Sequence, residues 1–234
     1  MKRFILTVVM LGFVTGNLFA GERVDLQKFI LDTQRLEQGQ NSFRLVWWIP
    51  TEYWEESFRN VPTLTDDQKR EFYKAVEDYM VMCIVDARIS ALGSVMPITR
   101  DQILDKLALS IGQGKTMKPL SDSEISSDAK NLFAMMKPIM ANMLGQFGQG
   151  MEFICFNGVD SEGKKLFDPK QEGNFAVIFA DATYKWRLPL GSLLPPKYDL
   201  QTGEKFPGNY NYNPFTGKKL ESRKSNQAIE SDKK

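Results

Sequence analysis

Apolar positions change their period several times along this chain, and each change predicts an element. Leu26, Phe29, Ile30 and Leu36 recur at roughly helical spacing between Asp25 and Gln38, which predicts an amphipathic helix closed by a Gly/Gln/Asn/Ser loop. Residues 42–49, Ser-Phe-Arg-Leu-Val-Trp-Trp-Ile, are β-branched and aromatic and stop at Pro50, so they read as a strand, followed by a short acidic, aromatic helix or turn over 51–58. Thr65-Asp66-Asp67-Gln68 and Thr99-Arg100-Asp101-Gln102 are capping boxes. The first starts a helix with Phe72, Val76 and Tyr79 on its inner face; the second starts a short helix running through Leu107 or Leu109. Helical period continues through Met80, Cys83, Ile84 and Ala87, but Met80 to Val85 is also an unbroken apolar run, and with a connection over 89–93 and a partner at Ser94 to Ile98 the reading is a buried strand. Residues 112–118 predict a polar loop. Ser127 or Asp128 then caps a Met-rich helix over 129–144, with Pro138 as a kink. Residues 151–156, 175–179 and 183–188 predict strands. No regular β-α-β alternation appears, so the expected class is α+β: a mainly antiparallel sheet flanked by several amphipathic helices, plus a small C-terminal β-hairpin module.

The first twenty residues have the pattern of a secretory signal: Lys2 and Arg3, an apolar stretch from Phe4 to Val14, and cleavage near Ala20. A periplasmic or secreted protein is expected. Leu18 is larger than the small residue preferred three places before a cut, which leaves an uncleaved anchor as the alternative. No later stretch approaches about 18 consecutive apolar residues, so no transmembrane span is expected beyond the signal segment. The expected organisation is a signal at 1–20, the main domain at 21–188, a Pro-rich connector and hairpin at 189–220, and a disordered polar tail at 221–234. Cys83 and Cys155 enter an oxidising compartment where a disulfide is allowed. Both lie in apolar runs, which favours two buried thiols instead.

Composition narrows function mainly by exclusion. Thirty basic against 29 acidic residues give a net charge of +1, so no strong field points to nucleic acid. There is no histidine, which removes Ser-His-Asp and Cys-His mechanisms and imidazole metal ligands. No cofactor is implied. Residues 110–116, Ser-Ile-Gly-Gln-Gly-Lys-Thr, imitate the end of a phosphate-binding loop, but Leu109 stands where the first glycine belongs. Trp47, Trp48, Tyr53 and Trp54 form the densest aromatic cluster, beside Glu52, Glu55 and Glu56. Exposed, it would suit a glycan or another flat apolar ligand, and two carboxylates at the right separation would suit a hydrolase. Strand alternation puts Trp47 and Trp48 on opposite faces, so at least one belongs to the core. Met135, Met136, Met140, Met143 and Met151 read as core filler, and Asp86 with Arg88 as a surface ion pair.

One internal repeat occurs: residues 199–206, Asp-Leu-Gln-Thr-Gly-Glu-Lys-Phe, match 213–220, Asn-Pro-Phe-Thr-Gly-Lys-Lys-Leu, at a shift of 14. The pair resembles the CPxCG knuckles of zinc ribbons, in which two tight turns offer four thiolates to one metal ion. Here those four positions hold Asp199, Thr202, Asn213 and Thr216, so the resemblance implies a degenerate, metal-free ribbon. The preceding connector, residues 186–197, Trp-Arg-Leu-Pro-Leu-Gly-Ser-Leu-Leu-Pro-Pro-Lys, also looks like one from uncharacterised secreted bacterial proteins ending in ribbon-like modules, a resemblance that carries no activity. The expected function is therefore a non-enzymatic extracytoplasmic protein acting through contacts with a protein partner in the cell envelope. The alternative is a glycan or small apolar ligand-binding module using the Trp47 to Phe58 cluster.

Overall fold

The computed structural model describes residues 24–59, 61–112 and 114–222. The expected signal at 1–20 lies outside them, as does the tail beyond Ser222. In chain order the first elements are α1 (Leu26–Thr33), β1 (Gln34–Gln38), β2 (Ser42–Ile49), α2 (Thr51–Phe58), α3 (Asp66–Val76), β3 (Tyr79–Ile89), β4 (Val95–Pro97) and α4 (Arg100–Lys106). Then come β5 (Leu107–Ile111), β6 (Lys115–Met117), α5 (Ser127–Met143), a 3-10 turn (Gly145–Gly150), β7 (Glu152–Asn157), β8 (Gly173–Phe179) and β9 (Ala182–Leu188). After a second 3-10 turn (Gly191–Leu193), the short strands β10 (Lys197–Tyr198), β11 (Lys205–Phe206) and β12 (Glu221–Ser222) complete an α+β fold with antiparallel sheets. Among the described residues no helix is long and apolar enough to cross a membrane.

The first sheet runs β1-β2-β3, with β4 and β7 pairing successive parts of β3. The second runs β6-β5-β8-β9. Alternation in β2 sends Phe43 and Trp47 toward the helices, where Phe43 stacks on Phe147 at 4.1 Å and Trp47 meets Tyr53 edge-on at 5.2 Å. Trp48 points the other way and meets Phe175 of β8 at 4.9 Å. The first sheet is thus covered on both faces, by helices and by the second sheet. That is why Met80 to Val85 in β3 are all buried and read as an unbroken apolar run.

Both capping boxes form as expected, at Thr65 and at Thr99. Two helices end earlier than their apolar spacing suggests. The helix expected over 25–38 stops at Thr33, whose hydroxyl donates to Phe29 O at 2.9 Å and accepts from Trp47 Nε1 at 3.1 Å. Residues 34–38 then pair with β2, Gln34 opposite Trp47 and Gln38 opposite Phe43. The helix expected to reach Leu107 or Leu109 stops at Lys106, because Leu107 and Leu109 alternate inward opposite Phe179 and Val177. The polar loop expected over 112–118 includes strand β6, so the loop that imitates a phosphate cradle is the tip of the β5–β6 hairpin. The cap of α5 is Ser126, one residue before the earlier of the two expected. Asp86 pairs with Arg44 at 3.4 Å across the β2–β3 ladder, not with Arg88.

Downstream of β9, Asn209 Nδ2 donates to Pro189 O at 3.1 Å, Ser192 N to Asp32 Oδ2 at 2.9 Å and Leu190 N to Pro169 O at 2.8 Å, which ties the C-terminal residues to α1 and the main body. A Cβ on Gly208 would lie 2.4 Å from Pro195 O, so that approach requires glycine. Glu221 and Ser222, placed in the expected tail, pair with Tyr198 and Lys197.

Candidate docking site

The structure brings Trp47, Trp48, Tyr53 and Trp54 together, but in the interior, each at most 5% exposed. Tyr53 packs edge-on against both Trp47 and Trp54 at 5.2 Å, and Trp54 lies 5.1 Å from Phe72. The ring faces that a sugar would need are covered by one another. Glu52, 8% exposed, has Oε1 3.2 Å from Lys165 Nζ, and its Oε2 has no hydrogen-bond partner among the described residues. Both line a cavity of about 20 Å³ that also touches Trp48, Glu77 and Tyr79. This volume suits one water and is far below a typical ligand pocket of about 300–1,000 Å³. Glu56 pairs with Arg59, and burial pushes its carboxyl above the ordinary value against that pull.

Cys83 and Cys155 are buried free thiols. Cys83 stands opposite Phe153 and Cys155 opposite Val81, so they are diagonal neighbours two register steps apart, on one face of adjacent strands. Diagonal side chains sit farther apart than a disulfide spans, which replaces the disulfide alternative with two thiols. Burial pushes both up to about 12, from 9.0. At pH 8 their thiolate fraction falls about a thousandfold below that of an ordinary thiol. Native protein treated with a thiol reagent at that pH should leave both unlabelled, and urea should release two equivalents.

The repeat at 199–206 and 213–220 is also a repeat of hydrogen bonds. Asp199 Oδ1 accepts from Gln201 N at 2.9 Å and Thr202 N at 3.4 Å; Asn213 Oδ1 accepts from Phe215 N at 2.9 Å and Thr216 N at 3.3 Å. Gly203 N and Gly217 N each return to the carbonyl four residues back at 2.8 Å, both glycines at a φ near +70°, where a Cβ would be strained. The two turns meet through Asn213 Nδ2, which donates to Asp199 Oδ2 at 2.8 Å with both residues 2% exposed. That hydrogen bond, with the turn amides, holds the Asp199 carboxyl below its ordinary range. Among the described residues no group of three or more Cys, Asp or Glu is placed to hold a metal ion.

Two surfaces remain. A cleft of about 550 Å³ separates α1 from the C-terminal residues, lined by Val24, Leu31, Leu193, Leu194, Pro196 and Phe206 with Lys28, Asp32 and Lys205 on its walls. The other surface is α5. Met140 is buried with Phe133 and Ala129 on the inner side, and Met151 beyond the helix is buried too. Met135, Ile139 and Met143, at i, i+4 and i+8, are 58%, 54% and 43% exposed, so these methionines are not core filler. Ala134, Pro138 and Asn142 form an exposed row of smaller side chains alongside. Lys137, the one charged residue between Asn131 and Met143, turns aside to Glu152 at 2.6 Å. The spacing 135/139/143 was visible in the sequence, but a helix apolar on both sides does not reveal which side is covered.

Comparison with protein-family models, with curated proteins and with solved structures returns no match for this chain.

Proposed function

We propose that the protein is a non-enzymatic extracytoplasmic factor that acts by docking a protein partner of the cell envelope, and that the outer face of α5 is the docking face. The observation that carries this reading is the uncharged row of exposed apolar side chains Met135, Ile139 and Met143 along one helix face. Exposed apolar patches of this kind are uncommon on soluble proteins except where something binds. Unbranched methionines let such a face adapt to its partner, and the low row of Ala134, Pro138 and Asn142 gives a partner's apolar ridge a groove to enter. The partner fitted to this face presents an apolar helix of its own. The N-terminal signal pattern supports the extracytoplasmic setting.

The test places a photo-crosslinking residue at position 139 and, as a control, at Leu200, which is 67% exposed on the C-terminal repeat and outside α5. A single adduct from position 139, identified by mass spectrometry and lost in Met135→Lys/Met143→Lys, is the expected result. Those exposed substitutions should change stability by no more than about 0.5 kcal/mol each. Equal adducts at 200 and 139, or none at 139 in intact envelopes, would overturn the reading.

A further inference from the structure

Strand edges on this molecule are closed in different ways. On β7, Leu120 N donates to Cys155 O at 2.8 Å and Arg100 Nη1 to Phe153 O at 2.7 Å. On β9, Lys185 O accepts from Arg35 Nε at 3.3 Å and Nη2 at 2.9 Å. β1 is open. Gly39 N donates to Ser42 O at 3.0 Å to close the β1–β2 turn, and ladder alternation then turns the backbone groups of Arg35 and Glu37 toward β2 and those of Gln34, Leu36 and Gln38 outward. Gln34 N is taken by Ile30 O, and Gln34 O accepts from Arg35 Nη1 at 2.8 Å. The outward N–H and C=O of Leu36 and Gln38 have no partner among the described residues, and the Leu36 side chain is 50% exposed. An open edge is a template for another strand.

The sequence of this edge states what that strand is. Residues 34–38 read Gln-Arg-Leu-Glu-Gln, which reads the same from either end except that the charge changes sign. We propose that β1 pairs antiparallel with β1 of a second copy about a two-fold axis at Leu36, joining two five-stranded sheets into one. In that register Leu36 meets Leu36 of the second copy as a hydrogen-bonded pair, and Gln38 N reaches Gln34 O of the second copy, whose oxygen keeps a free lone pair. Arg35 stands opposite Glu37 of the second copy on both sides of the axis. Shifting the axis by one residue sets Arg35 against Arg35 or Glu37 against Glu37, so the charges select a single register. Both side chains are already held in place: Arg35 lies 4.5 Å over the Trp186 ring and Glu37 accepts from Tyr184 Oη at 2.8 Å, so little side-chain freedom is lost on pairing. The contact is isologous and closed, which limits it to a dimer.

Sedimentation velocity of the purified full chain over its accessible concentration range tests this, and a concentration-dependent dimer is the expected result. Leu36→Pro removes only an outward N–H, a place where an edge strand tolerates proline, and should raise the dimer dissociation constant at least about 30-fold through two symmetry-related hydrogen bonds. Leu36→Cys should form an inter-chain cross-link with a short bis-maleimide reagent, since facing hydrogen-bonded positions lie about 5.5 Å apart at Cα. The two native thiols are buried and do not compete. If Leu36→Pro fails to fold, the cross-link decides alone. A chain that stays monomeric and does not cross-link at 36 overturns the proposal. So does a dimer that survives Leu36→Pro, or one that is lost instead with Met135→Lys/Met143→Lys on α5.

Discussion

Replacing Trp48 with alanine should lower the stability of the protein by about 3–5 kcal/mol, the range for deleting a large aromatic from a packed core. Trp48 is 2% exposed and is one of the side chains that join the two main sheets. Its ring meets Phe175 at 84°, and Phe175 in turn stacks on Trp186 at 5.1 Å and touches Phe167 at 5.2 Å, so one indole holds up a column of four rings. Two sheets braced by other side chains cannot close over the space it leaves, so the cavity cost adds to the lost burial. Set against the total of about 5–15 kcal/mol typical of a domain, the change removes about a fifth or more. Urea unfolding followed by circular dichroism is the measurement, with Trp48→Phe as a milder companion. A drop below about 1 kcal/mol for Trp48→Ala would mean that the sheets are held apart from this column.

The elements legible in the sequence are those decided within a few residues. Thr65 and Thr99 find their hydrogen-bond partners three positions on, so the capping boxes needed nothing from the rest of the chain. Two segments decided at long range, 34–38 and 107–109, were misread in the same direction, as helix where the structure has strand. Leu36 fits a helical period begun at Leu26, but residues 34–38 are drawn off by β2, and Leu107 and Leu109 by β8. Alternation placed Trp47 and Trp48 on opposite faces, as they are; that both faces are covered depends on β8 and the helices, which no local pattern encodes. Asp86 and Arg88 share a face of β3, yet Asp86 turns to Arg44 on the neighbouring strand because cross-strand partners lie closer than residues two apart on one strand. The exposed row on α5 was hidden for a related reason: its methionines are the same residue type as Met140 beneath them, and only packing distinguishes the two sets.

Arg44→Met should cost about 2–4 kcal/mol, because it leaves carboxylates gathered at one end of the sheet stack without their cation. The Arg44 side chain is 17% exposed; Nη1 lies 3.0 Å from Asp181 and 3.5 Å from Glu37, Nη2 lies 3.4 Å from Asp86, and the guanidinium sits 5.3 Å over Phe179. Asp181 and Glu37 are solvated and lose little, so the cost falls on Asp86, 16% exposed. Burial alone would lower the guanidinium pKa; hydrogen bonding with Tyr184 and the charges of Asp86 and Asp181 overcome it and raise it instead. Arg44 holds the Asp181 carboxyl below its ordinary 3.8, so that part of the stability is present above this value and fades as pH falls through the lower folded one. The gap between the parent protein and Arg44→Met should therefore narrow in acid. Alkali acts with the opposite sign on Tyr184, which burial pushes from 10.0 to about 12. Between these two pH values the unfolded tyrosine ionises while the folded one does not, and stability falls. Cys83 and Cys155 add the same sign from 9.0 upward. Tyr184→Phe should therefore flatten the alkaline slope between pH 10 and 12 without abolishing it, and an unchanged slope would show that the hydroxyl bound to Glu37 is not held as the structure places it.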